Sequence, residues 1–228
     1  MNGLGCTVKV TNREFSEVIA AIYDSAIDTS LWPEALRLMC GLVGSDTGAI
    51  GVHDAGTHTA LLNQRWGGDP FWVRLFEEKY GALMPFYPVL HRFETGDVFS
   101  NEMLLQELGD RSVLDGPFFK EWVEPAGYCD MVGGVVLRSG TRNGTYSLIL
   151  PAPRGQATAR DIEILRLVSP HVQRAIAICD LLGMRAMAMR TLDQTLDQLS
   201  VGVAVVDEGC RVLYANRVAE QIIAAGDG

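Results

Sequence analysis

Little in this sequence speaks for disulfides, metals, membranes or nucleic acid. The five cysteines, Cys6, Cys40, Cys129, Cys179 and Cys210, are odd in number and far apart. None forms a Cys-x-x-Cys pair, so the pattern indicates neither a disulfide framework nor a zinc knuckle. The four histidines, His53, His58, His91 and His171, have no metal-ligand spacing, and neither a metal nor a cofactor is expected. No apolar run approaches the ~18 residues of a membrane-spanning helix, and no signal-peptide core is present. Basic residues are scattered and outnumbered, 19 Lys and Arg against 28 Asp and Glu, for a formal charge of -9. Such a distribution does not build a surface that neutralises phosphates. Asn143-Gly144-Thr145 matches a glycosylation sequon, but without a secretion signal it reads as a turn. Cytoplasmic placement is the default expectation. Catalytic signatures, internal repeats and low-complexity segments are missing too, so function has to be argued from architecture.

What is present is an ordinary globular composition, 48 % hydrophobic and 21 % charged over 228 residues, enough for one or two domains. Residues 1–10 show no clear period and read as a loose start. Thr11 and Glu14 then form a capping box. Phe15, Val18, Ile19, Ile22 and Ala26 follow at helical spacing, predicting a first helix to about Asp28. Ser30 and Pro33 open a second, because proline is tolerated in a first turn. Thr47–His53 and Leu61–Trp66 read as strands, and Asp69-Pro70 starts a third helix that Pro85 and Pro88 break. Short helices are predicted over Asn101–Leu108 and Ser112–Val123. Tyr128–Arg138 and Thr145–Leu150 are the clearest strand pair, with Asn143-Gly144 expected to supply the turn between them.

From Thr158 to Leu199 the chain reads as one long helix. Its apolar residues Ile162, Leu165, Val168, Val172, Ala175, Cys179, Leu182, Met189, Leu192, Leu196 and Leu199 mostly alternate gaps of three and four, the spacing of a seam between helices. Pro170 interrupts its hydrogen bonding and is expected to bend it. Leu182, Met189, Leu192, Leu196 and Leu199, beyond the bend, are the candidate homodimer contacts. Consecutive strands with helices around them predict an α+β fold, an antiparallel sheet covered on both sides. The expected divisions are 1–157 for a sensory domain, 158–199 for the connecting helix and 200–228 for the start of a second domain.

The element order resembles a GAF-like sensor domain, and the wording resembles LuxR-type helix-turn-helix transcriptional regulators of bacteria. Ser30-Leu31-Trp32-Pro33-Glu34-Ala35-Leu36 is similar to their second-helix opening. Leu165-Arg166-Leu167-Val168-Ser169-Pro170-His171-Val172-Gln173-Arg174-Ala175 is similar to their long-helix signature. Residues 200–216, Ser-Val-Gly-Val-Ala-Val-Val-Asp-Glu-Gly-Cys-Arg-Val-Leu-Tyr-Ala-Asn, resemble the first hairpin of a PAS domain. The resemblance implies a sensory and dimerisation region, with DNA contacted only through a C-terminal domain absent from this chain. In the acyl-homoserine-lactone receptors of that name, the binding pattern resembles Trp-x-x-x-Tyr followed by Asp-Pro and a further Trp. Here those positions read Trp72, Phe76, Met84-Pro85 and Phe99. The carboxylate and phenol that would anchor a lactone are missing, so an apolar or aromatic small molecule is the better expectation.

Residues 67–125, rich in aromatics and short helices, are expected to form a lid over the sheet, with a pocket beneath it. Trp66, Trp72, Phe76, Tyr80, Phe99, Trp122 and Tyr128 are the candidate ligand-binding residues, with plain core packing as the competing reading. No catalytic residue is assigned. Two other functions stay open. One is a cysteine-dependent enzyme such as a methionine sulfoxide reductase, which needs an activated thiolate that Cys40 and Cys129 lack basic neighbours to provide. The other is a ligand-free structural dimerisation domain.

Overall fold

The computed structural model describes residues 10–226. The expected loose start therefore lies, but for Val10, outside the described residues, and so does Cys6. The chain divides into two compact units, one ending at Cys179 and one beginning at Asp180.

The first unit opens with α1 (Asn12–Ile27), started by the predicted capping box. The Thr11 hydroxyl accepts from the Glu14 N–H at 3.2 Å, and the Glu14 carboxylate accepts from the Thr11 N–H at 2.7 Å. A single 3₁₀ turn, Thr29–Leu31, is capped by Asp28 rather than opened by Ser30, and α2 (Trp32–Val43) follows with Pro33 in its first turn. Gly44 ends α2 at φ +67°, a left-handed closure that glycine adopts without steric penalty.

Five strands form one antiparallel sheet in the order β2 (Thr59–Gly67), β1 (Thr47–Asp54), β5 (Arg142–Pro151), β4 (Tyr128–Ser139), β3 (Val98–Ser100). Between β2 and β3 lie α3 (Pro70–Leu75) and α4 (Tyr87–Leu90). Between β3 and β4 lies α5 (Asn101–Leu108), and after β5 comes α6 (Ala159–Asp197). With helices on both faces of an antiparallel sheet, the unit is α+β as expected. One local expectation fails. Asn143 and Gly144 sit inside β5, and the turn is Gly140-Thr141, with Gly140 at φ +57°. A glycine with positive φ at the first central position suits a two-residue hairpin. Gly144 instead faces the core, where an added Cβ would lie 3.1 Å from Leu137, Val136 and Val52.

Side-chain alternation separates two cores. Ile50, Val52, Val132, Val136, Tyr146, Leu148 and Leu150 point to the side covered by α1, α2 and the first half of α6. There Leu165, Val168, Val172 and Ala175 are fully buried. Each large aliphatic group so buried contributes ~1.5–3 kcal/mol. The first half of the predicted seam thus packs on its own sheet. Pro170 lies inside α6, and the adjacent Ser169 hydroxyl is 2.5 Å from that of Tyr146, both buried. Gly134 makes room for this contact, since a Cβ there would meet Tyr146 Cε1 at 2.8 Å and Ser169 Oγ at 2.9 Å. Tyr23 of α1 lies 3.2 Å from His171 Nδ1, with the rings edge to face. Burial, together with the charge of Arg174, lowers the affinity of that imidazole for a proton.

Arg154 fastens the start of α6. Its guanidinium donates to the carbonyls of Val43 (2.9 Å) and Gln156 (2.6 Å) and pairs with Asp161 at 2.5 Å. Burial alone would raise the Asp161 carboxyl, but bonds from Arg154 and Thr158 outweigh it and hold it below the ordinary carboxylate value. Asp161 also accepts from the Thr158 N–H at 2.7 Å, capping the helix.

The second unit comprises the rest of α6, the antiparallel pair β6 (Ala204–Val206) and β7 (Val212–Ala215), and α7 (Arg217–Ala225). Fully buried Asn216 ties these together. Its Oδ1 accepts from Val203 N–H (2.8 Å) and Ala219 N–H (3.0 Å), while Nδ2 donates to the carbonyls of Leu196 (2.8 Å) and Val201 (3.0 Å). All four hydrogen-bonding positions of one amide are thereby used.

Candidate ligand-binding site

The other face of the sheet carries the lid and the second core. α3 is started by Asp69, which accepts from the Phe71 N–H at 2.8 Å, and by Pro70. It runs directly into a π-helical turn, Phe76–Tyr80, whose Gly81 N–H reaches back five residues to the Phe76 carbonyl. A second π-helical turn, Phe118–Val123, ends the same way, with Glu124 N–H donating to Phe119 at 2.9 Å. Such turns are rare and gather at functional sites, because the extra residue pushes side chains out of helical register.

The two turns are joined through Trp122. Its indole N–H donates to the Trp72 carbonyl at 2.9 Å, and its ring lies 4.9 Å from Phe76, 5.3 Å from Phe118 and 5.6 Å from Tyr128. A second tie sits at the surface, where Glu121 accepts from Tyr80 (2.7 Å) and Lys79 (3.1 Å). Those bonds hold its carboxyl below the ordinary range. At the far end of the lid, Arg138 of β4 donates to the carbonyls of Phe93 (2.7 Å) and Leu90. The lid is therefore anchored at both ends.

Between lid and sheet is a cleft of about 840 Å³, mouth included. Its roof is Val73, Phe76, Met84, Phe86, Phe118, Trp122 and Val123, and its floor comes from β1, β4 and β5 as Ala49, Met131, Ser147 and Ile149. Thr47, Arg65, Asn101, Tyr128 and Asp130 add polar atoms at one side. Arg65 is paired with Glu77 at 2.6 Å. Asp130 is buried and accepts backbone N–H groups from Asn101 (3.3 Å), Met131 (2.7 Å) and Ala157 (2.8 Å). A concave, mostly apolar wall with a few fixed polar groups is the usual form of a small-molecule site.

Of the seven aromatic candidates, Phe76, Trp122 and Tyr128 line this cleft. Trp72 and Tyr80 brace the lid from behind, and Phe99 packs on Phe93 and over Gly133. Trp66 belongs to the other side, where it is half-buried against the helix-covered core. Met84, which stands where the lactone pattern has aspartate, does line the cleft. Sequence reasoning missed the floor residues Ala49, Met131, Ser147 and Ile149 and the polar Asn101. The alternation of Met131, Ser147 and Ile149 with Val132, Leu148 and Leu150 was the available signal.

Among the described residues, no group of three or more His, Cys, Asp or Glu is arranged to hold a metal ion, and no helix is long and apolar enough to cross a membrane. Cys40 is fully buried, which pushes its thiol up to about 12. Burial raises Cys129 as well. The proposed dimer residues Leu182, Met189, Leu192 and Leu199 are exposed in the second unit, and Leu196 is half-buried.

No protein-family model matches the chain, and no curated protein matches it in sequence. Solved structures do. The LBD domain of VqsR from Pseudomonas aeruginosa is similar with a TM-score of 0.54 at 16% identity, over 72% of this chain and 94% of that one. The N-acylhomoserine lactone dependent LuxR family transcription factor CepR2 from Burkholderia cenocepacia gives 0.49 at 12%, over 72% and 93%. The GAF domain/HD domain protein from Geobacter sulfurreducens gives 0.45 at 12%, over 72% and 98%. At these identities the likeness, carried by VqsR, is one of fold.

Proposed function

We propose that this chain is the sensory region of a LuxR-type transcriptional regulator. A small, largely apolar molecule binds between the lid and the sheet. Its binding is relayed through α6, and through a homodimer formed along Leu182, Met189, Leu192, Leu196 and Leu199, to a DNA-binding domain encoded outside this chain. Residues 200–228 begin a PAS-like domain. The observation that carries the reading is the cleft itself, roofed by two π-helical turns that Trp122 holds together. The VqsR ligand-binding fold supports it.

The relay has a physical route. Pro170 lacks the N–H that a helix interior needs and leaves the Arg166 carbonyl without its helical partner. Beside it, the Tyr146–Ser169 contact joins α6 to the strand whose next residue, Ser147, faces the cleft. A ligand that changes the position of β5 has a differential effect on α6, the requirement for any ligand-driven shift. A thiol-dependent enzyme is opposed by the raised thiols of Cys40 and Cys129, since the thiolate is the nucleophile.

The test is native mass spectrometry of the protein, with extraction and identification of bound material. We expect a stoichiometric small molecule that is lost in Ala49→Phe, which fills the cleft floor. Bound material that survives this substitution in a folded protein would place the ligand elsewhere and overturn the reading.

A further inference from the structure

We propose that Asn101 is the polar anchor of the cleft, and that its ligand is an uncharged, largely apolar molecule bearing one amide or hydroxyl donor. This rests on the reading of the cleft as the ligand site. Among the described residues, Asn101 Oδ1 is the one buried side-chain acceptor without a hydrogen-bond partner, and its residue lines the cleft. A buried carbonyl oxygen left unmet is costly, so such an atom in a cavity wall marks where a donor belongs.

The two charged groups of the wall and the Thr47 hydroxyl are already engaged. Asp130 has its backbone N–H donors, Arg65 has Glu77, and the Thr47 hydroxyl is 3.1 Å from Asp46 Oδ1. The two charged groups in the wall are thus matched from within the protein. A charged ligand would enter a desolvated space and find no free counter-charge, which is strongly unfavourable. A neutral donor satisfies the buried Asn101 oxygen. The backbone N–H of Asn101 bonds Asp130 independently of the side chain, so the amide can be exchanged while that contact remains.

Three matched probes test the assignment by calorimetric titration: 1-naphthol, which carries a donor; 1-methoxynaphthalene, which lacks one; and 1-naphthoate, which is charged. On the unaltered chain, 1-naphthol should bind about tenfold tighter than its methyl ether, the worth of one neutral hydrogen bond to a buried group. 1-Naphthoate should bind more weakly than either neutral probe. In Asn101→Leu, with the fold checked by its melting curve, 1-naphthol and its ether should bind alike. Equal binding of the two neutral probes to the unaltered chain overturns the assignment of Asn101 but leaves the cleft as a site. Tighter binding of 1-naphthoate overturns the neutral class. Failure of all three to bind, or binding unchanged in Ala49→Phe, overturns the cleft reading and this proposal with it. Where Asn101→Leu does not fold, Asn101→Ala serves in its place, and equal binding of the two neutral probes to the unaltered chain still overturns the assignment.

Discussion

Tyr146 shows how much one hydroxyl carries in this molecule. It is fully buried, its only described polar contact is Ser169 Oγ at 2.5 Å, and burial pushes its phenol well above the ordinary value. Burial thus favours its neutral hydroxyl form. Tyr146→Phe should cost about 1–2 kcal/mol by urea unfolding, because Ser169 is left buried without its partner. Adding Ser169→Ala should cost less than the sum of the single changes, the sign of a shared bond. Additivity would show that the two hydroxyls act separately. Neither member was singled out by sequence. A lone tyrosine in a strand and a serine before a proline have no local signature, and only Gly134 betrays how closely the backbone lets them approach. The same holds for Asn101, which sequence reasoning used only as the start of a helix.

At the level of elements, ends were more legible than faces. The capping box at Thr11 and Glu14, the helix over Asn101–Leu108 and the wide β4–β5 hairpin follow from residue types whose effect is local. The turn at Gly140-Thr141 was misplaced because Asn-Gly is a strong turn signal. At Gly144 tertiary packing, not turn chemistry, selects glycine. The π-helical turns were invisible, since Phe76–Tyr80 and Phe118–Val123 read as plain helix until their five-residue hydrogen bonds are seen. Arg154 likewise sits in the short loop between β5 and α6, about which the sequence pattern is silent, yet it joins the end of α2 to the start of α6. Arg154→Ala should destabilise by about 2–4 kcal/mol at neutral pH, as it leaves the buried Asp161 carboxylate without its cation. Asp161 has a lowered folded-state pKa, so its stabilising effect is present above the unfolded carboxylate value and is lost as pH falls through the folded one. The penalty for Arg154→Ala should shrink over that acid window. Denaturant titrations at several pH values check this, and a penalty independent of pH would count against the ion pair as its source.

At the scale of the molecule, the long helix runs through both compact units. Up to Cys179 the seam residues Leu165, Val168, Val172 and Ala175 are buried in the unit's own core, whereas beyond Asp180 Leu182, Met189 and Leu192 are exposed. Light scattering should therefore find the full chain dimeric at micromolar concentration, and a chain ended after Cys179 folded but monomeric. A monomeric full chain would remove the dimer from the proposal. The seam was legible in sequence because its period is simple, but period alone does not say whether a stripe meets its own sheet or a second copy. The α+β class was legible for the opposite reason, since it depends on element order rather than on any single residue. One consequence of β5 lies in how a single strand serves both of its faces. Ser147 and Ile149 face the cleft, while Tyr146, Leu148 and Leu150 face the helices. The cleft wall and the helix-covered core are thus written on alternate letters of the same strand. Change at the odd-numbered positions can reshape the cleft while the even-numbered ones keep the architecture intact, so relatives of this fold can diverge in one without losing the other.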